Sequence, residues 1–242
     1  MPQFYKVGHN STHKRGMPWV WRLGRGFREV YVCRRCADAR SIHYAMGAVE
    51  AFCDPDLGVT WPDILGCGSY PFFIVSERTV DAFIADRIGD LPYHPVLIQA
   101  PLPKRLRDTV PPSYFWIDGQ KLLGAFLDFE ASGFVGVQFC PECGTRTDDI
   151  SATHIRQNSR VYPYAFRPSS WNGAKLFTTD LSPCAFFCTD EVVACARKHS
   201  LTNFRFVPIE EGSNVSSRGI DYLRKKRKTA QPGATDNPGD AQ

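Results

Sequence analysis

Two cysteine pairs are the residues best suited to chemistry: Cys33-Arg34-Arg35-Cys36 and Cys140-Pro141-Glu142-Cys143-Gly144. Two residues between cysteines let both sulfurs point inward from one tight turn, while the backbone amides of that turn donate to the thiolates and disperse their charge. That geometry suits half of a tetrahedral zinc site. Pro141 fixes a backbone dihedral in the second turn, and Gly144 can take a positive one without steric cost. In the first turn Ala37 stands where a glycine is expected, and Arg34 and Arg35 place positive charge beside a centre whose thiolates outweigh the metal. Four thiolates saturate zinc, whereas a catalytic zinc keeps an open position and draws on histidine or carboxylate. The pattern predicts one structural Zn2+ held by Cys33, Cys36, Cys140 and Cys143, the alternative being reduced, part-buried thiols without metal. A thioredoxin-like redox role would need a cysteine at a helix N-terminus, and neither pair is followed by a helical pattern.

Strands should carry these turns. Glu29-Val30-Tyr31-Val32 leads into the first pair and Phe134 to Phe139 into the second, and both read as strand-like runs. The 103 residues between Cys36 and Cys140 must form an inserted unit, which is tolerable because loop-closure entropy grows only logarithmically with length. Nine cysteines, an odd number, rule out a fully paired disulfide framework within one chain. Cys53, Cys67, Cys184, Cys188 and Cys195 sit among apolar neighbours at unmatched spacings and are expected to be small buried hydrophobes. His9 and His13 share a spacing that fits one helix face, but the Asn, Ser and Thr around them argue for a loop rather than a second metal site.

Two segments show the same order of elements, about 72–98 and about 184–209. Phe72 to Val75 reads as a buried strand, Ser76 as the cap of a helix reaching about Ile88, and Val96-Leu97-Ile98 as a returning strand. Ala185 to Cys188, Thr189, a helix to about His199 and Phe204 to Val207 repeat that order at an offset of 112 residues. Glu77 in one helix, and Asp190 and Glu191 in the other, suit the positive helix end. Val80, Phe83, Ile84 and Ile88 form one apolar stripe, and Val192, Cys195, Ala196 and His199 a shorter one. Trp61 and Trp171 precede the two units and should anchor loops to the core. The fold class is α+β, with mixed sheets around a zinc-ribbon-like site.

Charge sets the expected partners. The net +4 comes from Arg224 to Lys228, and without residues 224–242 the body carries 24 basic against 23 acidic side chains. A surface built for nucleic acid shows a clustered excess of Lys and Arg, so nucleic-acid contact is expected only through the basic segment. Residues 1–222 read as one globular unit and 223–242 as a basic, disordered tail rich in Pro, Gly, Asp and Ala. No apolar run approaches the roughly 20 residues that cross a bilayer, and nothing near Met1 marks the chain for secretion. A cytoplasmic protein is expected.

The combined arrangement resembles the double-CXXCG motif proteins described mainly from myxobacteria. The resemblance rests on Cys33 to Cys36, Cys140 to Gly144, Trp171-Asn172-Gly173, Thr189-Asp190-Glu191 and Phe206-Val207-Pro208-Ile209, and it covers roughly residues 3 to 211. Ala37, and Asp190 in place of Glu, are the departures. Some members of that family serve as immunity proteins, which implies a cytoplasmic, non-enzymatic protein that binds one cognate toxin and blocks it. No Ser/His/Asp arrangement, Walker-type loop, dinucleotide-binding turn or HExxH motif suggests an enzyme. If the toxin is a nuclease, Asp54, Asp56, Asp128, Glu130, Asp148 and Asp149 are candidates to face its basic cleft. The competing class is a zinc-ribbon module that binds nucleic acid or regulates.

Overall fold

The computed structural model describes residues 2–9, 17–31, 33, 35, 41–45, 47–67, 73–132, 134, 136–142, 147 and 164–211. Cys36, Cys143, His13, Asp148, Asp149 and the 223–242 tail lie outside them. Strand β1 (Phe4–His9) is followed by β2 (Trp19–Leu23), β3 (Phe27–Tyr31), β4 (Ser41–Ala45), β5 (Val49–Cys53), β6 (Ile64–Cys67) and β7 (Phe73–Ser76). Helix α1 (Glu77–Ala85), β8 (Tyr93–Gln99), β9 (Tyr114–Ile117), β10 (Leu123–Ala125), β11 (Leu176–Thr179) and β12 (Ser182–Thr189) come next. Helix α2 (Asp190–Lys198) and β13 (Phe204–Pro208) complete the order. The fold is α+β with mixed sheets and few helices, and no described helix is long and apolar enough to cross a membrane.

Six strands close a barrel in the order β2-β5-β8-β9-β7-β6. Closure is made by long-range parallel pairing of β2 with β6 and of β5 with β8. Val20, Val49, Ala51, Cys53, Leu65, Ile74, Val96, Tyr114 and Trp116 form one buried cluster from its six strands, while Ile64, Phe73, Val75 and Ile117 belong to a second cluster with the helices. The seam between β2 and β6 is parallel, pairing Trp19 with Gly66. A Cβ on Gly66 would come within 2.5 Å of the Trp19 ring, so the seam requires glycine there.

A second sheet runs β10-β11-β12-β1-β13. Its central strand β12 is apolar on both faces because both are covered. Phe186 and Cys188 join Val7, Leu176 and the helices in the same cluster as the barrel's Phe73 and Val75. Phe187 lies with Phe177, Leu127, Phe134 and Tyr164 in a third cluster. The two sheets and the two helices thus share one core layer.

That layer is a repeat. Ser76 and Thr189 are the two N-caps, both helices have nine residues, and Asp86 and His199 are the two C-caps. Both helices end alike. Ile88 N–H donates to Phe83 C=O at 2.9 Å and Leu201 N–H to Ala196 C=O at 2.9 Å, with Arg87 at φ 52° and Ser200 at φ 49° between. Each is a left-handed termination of the Schellman type. The sheets repeat too. The order β6-β7-β9-β8 matches β11-β12-β1-β13, with every adjacent pair antiparallel. The equivalence therefore runs at 113 residues, one more than the 112 read from apolar matches, because caps and terminations fix the register and individual valines do not.

Other expectations need adjustment. Helix α1 stops at its C-cap Asp86, short of the expected Ile88, whereas α2 ends at its C-cap His199 as expected. Ile84 is 63% exposed instead of belonging to the buried stripe. The residues before Cys140 are not a named strand among those described, since Gly136 takes φ +70° and breaks the extended run. His9 lies in β1, not in a loop, with its ring edge-on to Trp19 at 5.0 Å. Trp61 and Trp171 do anchor loops, donating to Thr109 Oγ1 and to the Ala174 carbonyl at 2.9 Å each.

Candidate metal centres

The predicted zinc ligands come from two loops far apart in sequence. Cys33 follows β3, which pairs with β4 from Phe27–Ala45 to Tyr31–Ser41, so the first CxxC turn lies in the connection of a hairpin. Cys140 belongs to a loop closed by Thr147 N–H donating to Gln138 C=O at 2.9 Å. The same loop is tied inward by the rings of Phe129, Phe134 and Phe139, with centroids 5.6 and 5.9 Å from that of Phe129.

These loops place Cys33 Sγ 3.9 Å from Cys140 Sγ. Two thiolates on a tetrahedral zinc with bonds of about 2.3 Å are separated by roughly 3.8 Å, and a disulfide would require about 2.05 Å. The spacing is that of a thiol–thiol contact and is also compatible with two ligands of one metal. The intervening turn residues also face each other: Arg35 Nη1 is 3.7 Å from Glu142 Oε1, and Cys33 Sγ is 3.4 Å from Glu142 Oε2. Arg35 thus spends charge on Glu142. Two of the four expected ligands are thus brought together, and the other two, Cys36 and Cys143, lie outside the described residues.

Cys53, Cys188 and Cys195 are buried, as expected of small hydrophobes, while Cys67 ends β6 and Cys184 lies in β12. Burial pushes the Cys188 thiol well above the ordinary range. Cys195 differs from a plain core thiol. One ligand atom each from Cys195, Asp86 and His199 lies within 4.8 Å of the others, a group that can hold a metal ion.

The second group sits where the two helices end. Asp86 Oδ2 is 3.3 Å from His199 Nε2, Lys198 Nζ donates to Asp86 Oδ1, and Cys195 Sγ is 3.5 Å from the Ala82 carbonyl. The Lys198 bond, reinforced by Cys195 and His199, holds the Asp86 carboxyl below its ordinary range despite partial desolvation. Burial, with the neighbouring Asp86 carboxylate, pushes Cys195 up to about 12, so in the metal-free state the thiol keeps its proton. Spacing along the chain hides this trio. Asp86 belongs to one helix and the other two residues to the next, and only the 113-residue equivalence reveals that both C-caps meet.

A third polar cluster is structural. Asp63 accepts from Arg78 Nη2 at 2.7 Å and Nε at 3.0 Å, from Ser76 Oγ at 2.9 Å, and from Thr202 N at 2.6 Å and Oγ1 at 2.8 Å. Burial would raise its pKa, but Arg78, Thr202 and Ser76 together hold it below the ordinary carboxylate value. This knot ties β6, the start of α1 and the turn after α2.

The acidic residues expected to face a toxin have local duties. Asp54 Oδ1 accepts from Asp56 N–H, Asp56 pairs with Lys104 at 2.7 Å, and Asp128 Oδ1 accepts from Ala131 N–H. Glu130 is exposed. Compared with known proteins, the chain matches no protein-family model and no curated sequence.

Proposed function

We propose that this protein is a non-enzymatic, zinc-stapled binding protein that neutralises a cognate toxin by occupying it. The observation behind the staple is the 3.9 Å approach of Cys33 and Cys140, two thiols separated by most of the barrel in sequence. Zn2+ held by Cys33, Cys36, Cys140 and Cys143 would lock the β3–β4 hairpin to the loop that leads back to the second sheet. Metal of this kind contributes folding free energy and leaves recognition to the surface.

The neutralising role rests on the resemblance to double-CXXCG proteins in the two cysteine turns and the three later motifs. It is compatible with the nearly neutral charge of residues 1–223. The nucleic-acid reading loses support because Arg35, half of the Arg34-Arg35 charge, pairs with Glu142.

Co-expression with the product of the neighbouring gene tests the role, together with metal analysis of the purified protein. The reading expects growth rescue and a zinc that disappears in Cys140→Ser. Rescue that fails although the zinc is present would remove the immunity role. Rescue by a metal-free protein would remove the staple.

A further inference from the structure

Two nine-residue helices finish at one point. Their C-caps, Asp86 and His199, are equivalent positions of the repeat, and Cys195 is the counterpart of Ala82, whose carbonyl it approaches. The first copy therefore contributes a carboxylate, and the second contributes a thiol and an imidazole. Helix C-termini carry partial negative charge, so the convergence of two of them favours a cation, and Lys198 Nζ already answers that field on Asp86 Oδ1.

The other polar atoms of the group converge around that bond. Asp86 Oδ2 faces His199 Nε2 at 3.3 Å, an electrostatic contact that leaves the buried Nε2 without a well-aligned hydrogen bond among the described residues. Oxygen and nitrogen ligands about 2.0–2.1 Å from a tetrahedral zinc are separated by roughly 3.3 Å. The Cys195 sulfur, 1% exposed as a residue, completes a set whose ligand atoms all lie within 4.8 Å. Sulfur with imidazole and carboxylate is a donor set for Zn2+ or Co2+ and ill suited to Ca2+ or Mg2+, which take oxygen ligands.

We propose that Asp86, Cys195 and His199 form a second divalent transition-metal site, separate from the cysteine turns, that clamps the C-termini of α1 and α2 together. Binding forms one bond each from Asp86 Oδ2, Cys195 Sγ and His199 Nε2 to the cation and releases the Cys195 thiol proton to solvent. The carboxylate and thiolate then balance a doubly charged ion. Lys198 stays on Oδ1, and the fourth coordination position is left to water.

The test is Co2+ titration of the full chain, read by thiolate-to-metal absorption and by the number of ions bound. Two ions per chain are expected in the wild type. Cys195→Ser and His199→Gln should each bind one fewer. Cys140→Ser should also lose one ion but retain the weaker, single-thiolate absorption that Cys195→Ser abolishes. His199→Gln alters a part-exposed side chain and keeps the assay meaningful should Cys195→Ser misfold. Unchanged stoichiometry and absorption in both Cys195→Ser and His199→Gln would overturn the proposal, and that result would leave the cysteine-turn zinc and the toxin reading untouched.

Discussion

Phe73 and Phe186 stack with ring centroids 4.5 Å apart and planes inclined by 22°, and they occupy the same position in the two copies of the repeat. Each lies three residues before its helix N-cap. The contact thus joins the barrel to the second sheet through the layer that both share. Phe186→Ala is expected to cost about 3–5 kcal/mol, the transfer term plus the cavity left in a crowded core. Urea unfolding followed separately by tryptophan fluorescence and far-ultraviolet circular dichroism measures it, and the two probes should shift together.

Removing metal should act through the cysteine turns. Cys33→Ser and Cys140→Ser are each expected to lose one bound zinc and to unfold at lower temperature, because the binding free energy is part of the folding free energy. Cys53→Ala empties a little of the barrel core but should keep its full metal content. Elemental analysis beside thermal melts decides between these outcomes, and a normal zinc count in Cys140→Ser would disprove the staple.

The Asp63 knot sets an acid limit. Its folded pKa lies below the ordinary 3.8, so its contribution is present above that value and is lost as pH falls through it toward the lower folded value. Stability should therefore decline on acidification from about pH 5 to below 4. Asp63→Asn is expected to cost about 1–3 kcal/mol near neutrality, since the charged acceptor of Arg78 disappears, and to flatten the acid limb. Chemical denaturation across that range, wild type beside variant, is the check.

The barrel seam is sensitive to a single methyl group. Gly66→Ala should destabilise by about 1–3 kcal/mol through overpacking against Trp19. At Gly26, φ is +98° and a Cβ would meet the Ala48 carbonyl at 2.0 Å. Gly26→Ala should therefore be at least as damaging, which parallel melting curves would reveal. Gly47 has open space around it, although its positive φ still disfavours alanine, so Gly47→Ala should fall below both.

If protection depends on the folded body, deletion of residues 224–242 should leave rescue from the toxin intact. The truncated chain then carries a nearly balanced charge, and weak binding to DNA, if the full chain shows any, should vanish with the tail. Persistent, strongly salt-dependent DNA binding by the truncated chain would favour the zinc-ribbon alternative instead.

The helices were legible because Ser76, Thr189 and their acidic first turns are local signals, and α+β follows from them. Barrel closure was not legible. It depends on parallel pairing of β2 with β6 and of β5 with β8, long-range registers that no short window contains. Ile84 fits a helical stripe yet faces outward, because the stripe is wider than the surface the core covers. Of the proposed metal ligands, the CxxC turns announce themselves by spacing. Asp86, Cys195 and His199 do not, since the distance that unites them is created by packing one helix against another.

Strand β1 has consequences for the order of synthesis. It leaves the ribosome before every other described strand, yet its neighbours are β12 and β13, the last two of the described strands to appear. At about 5–20 residues per second, its exposed edges wait roughly 10–40 s for partners, while the barrel can close as soon as β9 is made. The nascent chain thus carries an unpaired β-edge beside a finished barrel, the state in which help from a chaperone would matter most.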